Sequence, residues 1–307
     1  MVVTLPPPQP PPGRDDPGLV GEPVGWDPLV PVDFGGWIQR VFGVLRRDFP
    51  ALALLAAIPA VLTGLSQAVL ERGMPSLPTI AARINSGVRP VLAASPARGE
   101  TFIRLLPAMT VFYVLILVVT AFAQPGAIFI MVRRAAGQPA TVTAALRFAA
   151  PRVVPVLGWS ILAGLLTRIG YVLHRAGLLS GIGDVLLITP GVYLSVVVFA
   201  SLYGVVVIER AGLGRCFALI RGRFWVTLGR MVVGGLIAAV YSVALVLVLV
   251  VVAPAGAVFS AVVYGVLLVP VTVFFYTIST IIYAELRYHE NPAATNTAAL
   301  AAQLTRA

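Results

Sequence analysis

Two glutamates end apolar stretches of this 307-residue sequence, and each is followed closely by an arginine. Arg210 directly follows Glu209, and Arg287 stands two residues after Glu285. A carboxylate beside a guanidinium at the end of an apolar run predicts an ion pair at a membrane rim. The sharper alternative is that the carboxylate couples protons or ions to transport, with Glu209 lying against the interior of a helix bundle.

A second group of candidates consists of arginines at the entrances to apolar runs, at the edges of apolar-striped helices. A guanidinium binds a phosphate group through two parallel hydrogen bonds, which suits it to lipid headgroups. We therefore predict that membrane phospholipids, preferentially anionic ones, are bound by Arg46, Arg47, Arg152, Arg221 and Arg223.

Motifs for metal binding, hydrolysis and nucleotide binding are missing from the sequence. The sequence has no paired-histidine zinc signature and no Gly-x-Ser-x-Gly elbow. It also has no nucleotide-binding loop, so ATP is not expected to drive this chain directly. Cys216 is the only cysteine, which excludes an internal disulfide. We predict no catalytic residue, no metal and no cofactor, and we expect a protein that is not an enzyme.

The elements that position these residues are apolar helices. The stretch from Met231 to Ala284 has no charged residue and is interrupted near its middle by residues 253–256. With 11% charged residues and a mean hydropathy of +0.95, the chain predicts an all-α polytopic membrane helix bundle. The six predicted transmembrane helices are 51–70, 107–131, 153–173, 185–208, 226–252 and 256–283.

Amphipathic helices are expected to precede two of the spans. Leu213, Phe217, Ile220 and Phe224 recur at helical spacing, and a similar apolar stripe covers residues 34–47. Arginines flank both stripes. One interpretation is a cytoplasmic interfacial helix that lies in the headgroup plane. The other is a helix that packs on the cytoplasmic ends of the spans.

The sequence also contains a candidate internal repeat of an amphipathic helix, basic residues and a span. The five residues Arg152, Leu157, Gly158, Gly164 and Leu165 recur 71 positions later as Arg223, Leu228, Gly229, Gly235 and Leu236. A fainter third copy places Arg47, Pro50 and Leu52 against Arg152, Pro155 and Leu157.

The arginine distribution predicts the orientation. Fifteen arginines lie on one side of the six predicted spans and seven on the other, so the positive-inside rule makes both termini cytoplasmic. The predicted organisation is a disordered Pro-rich cytoplasmic tail (1–33), a membrane domain (34–290) and a short cytoplasmic C-terminal tail (291–307). The Pro-rich tail is expected to be a solvated extension, or alternatively a docking arm.

Three segments carry a family resemblance: VIER at 207–210, CFALIRGRFW at 216–225 and IYAELRY at 282–288. They resemble the membrane domain attached to some bacterial glycerophosphoryl diester phosphodiesterases, which also occurs alone. The soluble catalytic domain has no counterpart in this sequence. The Pro-rich start is similar to the proline- and glycine-rich transmembrane proteins of mycobacteria. The resemblance implies a six-span membrane domain and leaves its biochemical role unassigned.

Together these patterns favour a non-enzymatic integral protein of the bacterial plasma membrane. The expected role is scaffold, lipid-binding or accessory factor in the cell envelope, with phospholipids and another envelope membrane protein as partners. The alternative is a transporter or permease for a small or amphiphilic substrate. All 22 basic residues are arginine, a composition typical of actinobacteria. Because they lie beside apolar runs, phospholipid rather than nucleic acid is the expected partner.

Overall fold

The computed structural model describes the backbone of residues 27–73, 96–175 and 182–306. Side chains are described for 27–66, 110–166, 190–252 and 254–305. This part of the chain is helical and contains no strand. The helices are α1 (Phe34–Gly73), α2 (Pro96–Ala135), α3 (Val142–Ala149), α4 (Val153–Arg175), α5 (Ile182–Val197), α6 (Leu213–Ile220), α7 (Phe224–Val252), α8 (Ala257–Glu290) and α9 (Thr297–Arg306).

Several of these helices are long and apolar enough to cross a membrane, as the composition predicted. Within the described residues there are five such segments: Phe34–Ser66, Thr110–Ala135, Val142–Leu166, Phe224–Val252 and Ala257–Glu290. The predicted span 185–208 coincides with α5 and two π-helical turns that follow it, Val198–Leu202 and Val205–Glu209. Its part with described side chains includes a shorter apolar helix, Pro190–Leu202.

Helix α7 shows most clearly that the solvent of this bundle is lipid. Its apolar side chains point outward along most of its length, with Val240 74% and Val251 79% exposed. A row of exposed valines and leucines on this scale is unfavourable in water, because apolar surface there costs about 25 cal/mol per Å². The described helices therefore have the lengths and the apolar surface of a multi-pass membrane protein.

Glycines allow α1 and α8 to cross closely. A Cβ atom added at Gly265 would lie 2.6 Å from the Cα of Val61, and one added at Gly64 would lie 2.8 Å from the backbone nitrogen of Gly265. Both distances are far inside van der Waals contact, so only glycine fits at this crossing. Small residues that let two backbones approach are the usual basis of helix contact in membranes.

The predicted amphipathic segment 34–47 is not a separate helix. It is the first part of α1, which continues through Pro50 and Pro59. Trp37, Val41 and Val44 are buried in the protein core, so these three residues of the apolar stripe contact protein rather than lipid. Proline is tolerated here because its ring removes one backbone donor without ending a helix whose sides are packed.

Helix α6 matches the second predicted amphipathic segment, and its inner face differs from the predicted stripe. Leu213, Cys216 and Ile220 are buried, whereas Phe217 is 38% exposed. The Phe217 ring stacks on Tyr193 with the centroids 6.1 Å apart. This arrangement favours the interpretation that α6 packs on the ends of the spans.

Residues assigned by sequence to the two tails also pack on the bundle. Leu29 and Val30 are buried, as are Leu300 and Leu304 of α9. The carboxylate of Asp27 accepts a hydrogen bond of 2.8 Å from the backbone nitrogen of Thr297, at the start of α9. The packed unit therefore begins before residue 34 and extends past residue 290, while the Pro-rich segment up to residue 26 lies outside the described residues.

Candidate functional site

The charged side chains that the structure describes gather at one end of the bundle, which we call the short-helix face. It comprises α3, α6, α9, the beginnings of α1, α4 and α7, and the ends of α2 and α8 together with residues 205–209. The six acidic residues whose side chains are described all lie on this face: Asp27, Asp33, Asp48, Glu209, Glu285 and Glu290. Arginines outnumber them there, so this face is basic.

Glu209 lies at the centre of one network on this face. Its carboxylate contacts the guanidinium of Arg215 at 2.6 Å and that of Arg287 at 2.9 Å, and it accepts a 2.9 Å hydrogen bond from the Tyr283 hydroxyl. Arg215 also forms an ion pair with Glu290. Hydrogen bonding to Glu290, and then to Glu209, raises the pKa of Arg215. The carboxylate of Glu209 thus connects its own helical segment, Val205–Glu209, with α6 and α8.

A glycine makes the Tyr283 contact possible. A Cβ atom at Gly204 would lie within 2.6 Å of atoms of the Tyr283 ring, so the ring can pass close to this backbone only where no side chain exists. Gly204 lies between the two π-helical turns. Such turns rotate the following residues relative to an α-helix, and they are frequent at functional sites.

Glu285 forms a second, simpler cluster. Its carboxylate pairs with Arg230 of α7, and the two side chains are only 4% and 6% exposed. The imidazole Nε2 of His289, one helical turn away, lies 3.6 Å from the other carboxylate oxygen. A buried ion pair gains attraction but loses hydration, so its net contribution to stability is small unless further hydrogen bonds satisfy it.

Both glutamates therefore have partners on other helices, not the neighbours that the sequence suggested. The predicted pairs were Glu209 with Arg210 and Glu285 with Arg287. Arg210 leaves the helical segment with a φ of 54°, and the guanidinium of Arg287 lies 2.9 Å from Glu209. In the structure, Glu209 instead pairs with Arg287, and Glu285 pairs with Arg230.

A cavity opens beside the Glu285 cluster, and we call it the first cavity. Its volume is about 490 Å³. Trp225, at its edge, is 78% exposed on the side of the bundle where lipid is expected. Its walls combine apolar side chains with two guanidinium groups, a carboxylate and an imidazole; they are Val32, Phe34, Arg223, Trp225, Val226, Gly229, Arg230, Val233, Glu285 and His289.

Among the arginines predicted to bind lipid, those at the α6–α7 turn and Arg46 keep accessible guanidinium groups. Arg46 and Arg221 are exposed, and Arg223 is half-buried in the wall of the first cavity. No carboxylate in the described part of the chain lies within ion-pair distance of these three arginines. Of the three, Arg223 lines the first cavity, whereas Arg46 and Arg221 lie outside it.

The other two predicted lipid ligands have partners inside the protein. Arg47 forms an ion pair of 2.7 Å with the fully buried Asp48. Arg152 is 7% exposed; it donates 2.9 Å to the carbonyl of Phe148 and lies 3.7 Å over the centroid of that ring. Arg47 is thereby largely neutralised, whereas Arg152 has a carbonyl and a ring as neighbours and keeps its charge.

Cys216 is fully buried in α6. Burial raises the pKa of its thiol, which keeps it protonated and unreactive. No group of three or more His, Cys, Asp or Glu side chains with metal-binding geometry occurs among the described residues.

Sequence reasoning missed Arg230 and Asp27 as site residues, although each carries a signal. Arg230 lies seven residues into the apolar run of α7, at a depth where a charge needs a partner. Asp27 precedes the first apolar stripe, and its carboxylate accepts hydrogen bonds from Leu29, Val30 and Thr297. Its distant partner, Thr297, could not be found from local spacing.

Comparison of the chain with models of protein families, with curated proteins and with solved structures finds no match. The resemblance drawn from the segments at 207–210, 216–225 and 282–288 therefore stays a prediction, and the site has to be interpreted from its own geometry.

Proposed function

We propose that this chain is a non-enzymatic integral protein of the bacterial plasma membrane. In this proposal it binds anionic phospholipid headgroups at the short-helix face and serves as a scaffold or accessory factor in the cell envelope, with another envelope membrane protein as its partner. The observation that supports this proposal best is the first cavity, which is lined by both Arg223 and the exposed Trp225.

The cavity suits an amphiphile because its two kinds of wall are side by side. Trp225, Val226 and Phe34 are 78%, 46% and 47% exposed, and they offer apolar surface to acyl chains. Arg223 supplies a charge that no carboxylate of the described residues neutralises. Tryptophan is enriched at the headgroup level of membranes, and each arginine near an anionic surface contributes about 1 kcal/mol to binding.

Six spans with both termini in the cytoplasm are part of the proposal. The hydrogen bond between Asp27 and Thr297 places the two ends of the described chain on the same face of the bundle. A chain that begins and ends on one side of a membrane crosses it an even number of times. This parity supports 185–208 as a span in addition to the five long segments, and the excess of arginine supports a cytoplasmic short-helix face.

Lipid retention tests the proposal. Arg223→Gln should lower co-purified phosphatidylglycerol about fivefold by native mass spectrometry, which corresponds to about 1 kcal/mol. Phosphatidylethanolamine should be almost unchanged. Arg221→Gln is the matched control, because Arg221 is exposed on the same turn but does not line the cavity. Equal losses of both lipids, or equal losses in both variants, would contradict a specific site.

Single-cysteine labelling tests the topology. On a Cys216→Ser background, Pro139→Cys lies on the short-helix face and Ala255→Cys at the opposite end, and both positions are exposed. A membrane-impermeant maleimide applied to intact cells should label Ala255→Cys only. Labelling of Pro139→Cys from outside would reverse the proposed orientation.

A transporter is the second candidate, and the buried pair of Arg230 and Glu285, with the partly exposed His289 beside it, favours it. Ionisable groups at membrane depth beside a cavity are typical of proton pathways. Proteoliposomes with a trapped pH-sensitive dye test this role. Proton entry that depends on protein and disappears in Glu285→Gln, but not in Glu290→Gln, would favour transport over the scaffold role.

A further inference from the structure

The short-helix face contains a second cavity of about 340 Å³. It lies where α4 begins and where the π-helical segment Val205–Glu209 ends. Two guanidinium groups and one indole dominate its walls, and no carboxylate lines it; the lining residues are Pro151, Arg152, Pro155, Trp159, Val206, Arg210 and Ala211.

The two cavities occupy equivalent places in the internal repeat. The 71-residue spacing takes Arg152, Pro155 and Trp159 of the second cavity to Arg223, Val226 and Arg230, all of which line the first. On the facing wall, Val206 and Arg210 of the second cavity correspond in position to Glu285 and His289 of the first, 79 residues later, with different residue types. Each cavity therefore lies between the beginning of one span and the end of another.

The third and faintest copy of the repeat, which contains Arg47, has two arginines at the position that corresponds to the second cavity. Arg47 corresponds to Arg152, and each donates at 3.4 Å to a carbonyl near the end of a neighbouring helical segment, Met131 for Arg47 and Val207 for Arg152. The same offset of 76 that relates Met131 to Val207 relates Arg134 to Arg210. Both copies thus have a pair of arginines at this place.

In that copy a carboxylate joins the pair. Asp48 contacts Arg47 at 2.7 Å and Arg134 at 3.7 Å, and its side chain is completely buried. The corresponding residue in the second copy is Val153, which has no charge. The second copy therefore keeps both arginines but lacks a carboxylate between them.

No neighbouring acid replaces Asp48 in the second copy. Within the part of the chain that the structure describes, no carboxylate lies within ion-pair distance of Arg152 or Arg210. Glu209, adjacent to Arg210 in sequence, is engaged by Arg215, Arg287 and Tyr283. Two positive groups in one small cavity repel each other unless an anion joins them.

Arg152 is held ready for such an anion. Its guanidinium is fixed by the carbonyls of Phe148 and Val207 and by the Phe148 ring, and the five donors of a guanidinium exceed these contacts. Arg210 is exposed and adopts a left-handed backbone conformation with φ 54°, which costs about 1 kcal/mol or more for a residue with a side chain. That conformation ends the helical segment and places Arg210 in the cavity wall.

We propose that the second cavity binds a phosphate-class anion between Arg152 and Arg210, in the place that the Asp48 carboxylate takes between Arg47 and Arg134. The phosphate group belongs either to a membrane lipid or to a free phosphate ester. The site is separate from the first cavity and does not depend on its function.

Two variants and two matched controls test the site. Arg210→Gln removes one ligand from an exposed position, and Val153→Asp installs the internal carboxylate of the other copy. Arg221→Gln removes an exposed arginine that does not line the second cavity, and Val154→Asp adds the same charge one residue further on. Arg210 is exposed, so its variant is expected to fold even if Val153→Asp does not.

Two probes distinguish the sources of the phosphate. Phosphatidylglycerol is followed by native mass spectrometry of protein from membranes, and inorganic phosphate by its effect on thermal unfolding of delipidated protein. We expect Arg210→Gln to weaken binding of at least one probe about tenfold or more, as for loss of a charge-assisted bond. We expect Val153→Asp to abolish it and both controls to retain it. If Arg210→Gln and Val153→Asp weaken binding of the lipid alone, the cavity is a headgroup site. If they weaken binding of inorganic phosphate, the cavity is a site for free phosphate.

The proposal is overturned if neither probe responds to Arg210→Gln and Val153→Asp more than to the controls. Anion binding lost in Arg223→Gln but kept in Arg210→Gln would assign all binding to the first cavity. That result would leave the proposed function intact and remove the second site.

Discussion

Glu209 and Glu285 both end apolar helical segments beside arginines, yet their surroundings differ. Glu209 contacts Arg215, Arg287 and Tyr283 and lies in a network that continues to Glu290. Glu285 contacts Arg230, with His289 3.6 Å away, and lies in the wall of a cavity. The first carboxylate is satisfied from several helices, whereas the second is half of a pair beside open space. The same motif therefore serves packing in one place and faces a ligand-sized cavity in the other.

The largest expected effect is on the packed network. Glu209→Gln should lower the free energy of unfolding by about 3 kcal/mol, because it leaves Arg215 and Arg287 without their shared negative charge. Thermal unfolding in detergent measures the loss. Glu290→Gln, at a carboxylate whose side chain is 41% exposed, is the control and should cost less than about 1 kcal/mol. Equal effects of the two variants would break the comparison.

Tyr283→Phe should cost about 2 kcal/mol, because it removes one hydrogen bond to a charged group and leaves the ring in place. Tyr276→Phe is the control on the same helix. The Tyr276 hydroxyl is buried and has no hydrogen-bond partner in the described part of the structure, so its removal should leave stability unchanged or raise it. A loss at Tyr276 as large as that at Tyr283 would show that ring packing, not the bond to Glu209, is measured.

Glu285→Gln should cost about 2 kcal/mol, because it leaves the buried guanidinium of Arg230 without its carboxylate, while the first cavity lets water or a headgroup replace part of that contact. Its stronger effect should be on ligand binding, and in the opposite direction to Arg223→Gln. Loss of a carboxylate that repels anions should raise co-purified phosphatidylglycerol several-fold by native mass spectrometry. Lower lipid retention in Glu285→Gln would mean that the glutamate organises the cavity rather than opposing the anion.

The smallest signal concerns Cys216, which lies against the network but is not part of it. Because burial raises the pKa of its thiol, the folded protein should resist alkylation by maleimide through neutral pH and react only after denaturation. The raised pKa contributes stability that is fully present below the ordinary thiol pKa and is lost as pH rises above it. Rapid labelling of the native protein at pH 7 would show that α6 opens readily.

Much of the fold could be predicted because it depends on one-dimensional patterns. Helices α7 and α8 follow from a charge-free stretch with Pro254 and Gly256 near its middle. The sequence could not show that residues 34–47 and the first span form one continuous helix, α1. The apolar stripe over 34–47 would suit a lipid surface or a protein core equally well. The π-helical turns near Gly204 have no periodic signature, and they are accommodated by packing against Tyr283.

The candidate site could be predicted by residue type but not by partner. Glu209 and Glu285 stand out as carboxylates at the ends of apolar runs, and this much follows from the cost of charge in lipid. Their true partners, Arg215, Arg287 and Arg230, depend on which helices are neighbours. The repeat spacing of 71 pointed to Arg152 and Arg223 before the structure placed each of them in the wall of a cavity.

Photo-crosslinking in native membranes shows directly whether an anionic headgroup lies in the first cavity. A phosphatidylglycerol analogue with a photoreactive group near the phosphate, followed by peptide mapping, reports where the headgroup lies. We expect adducts on the first turns of α7, around Trp225 and Val226, that are depleted in Arg223→Gln and retained in Arg221→Gln. Adducts confined to the opposite end of the bundle, or unaffected by Arg223→Gln, would contradict headgroup binding in the first cavity.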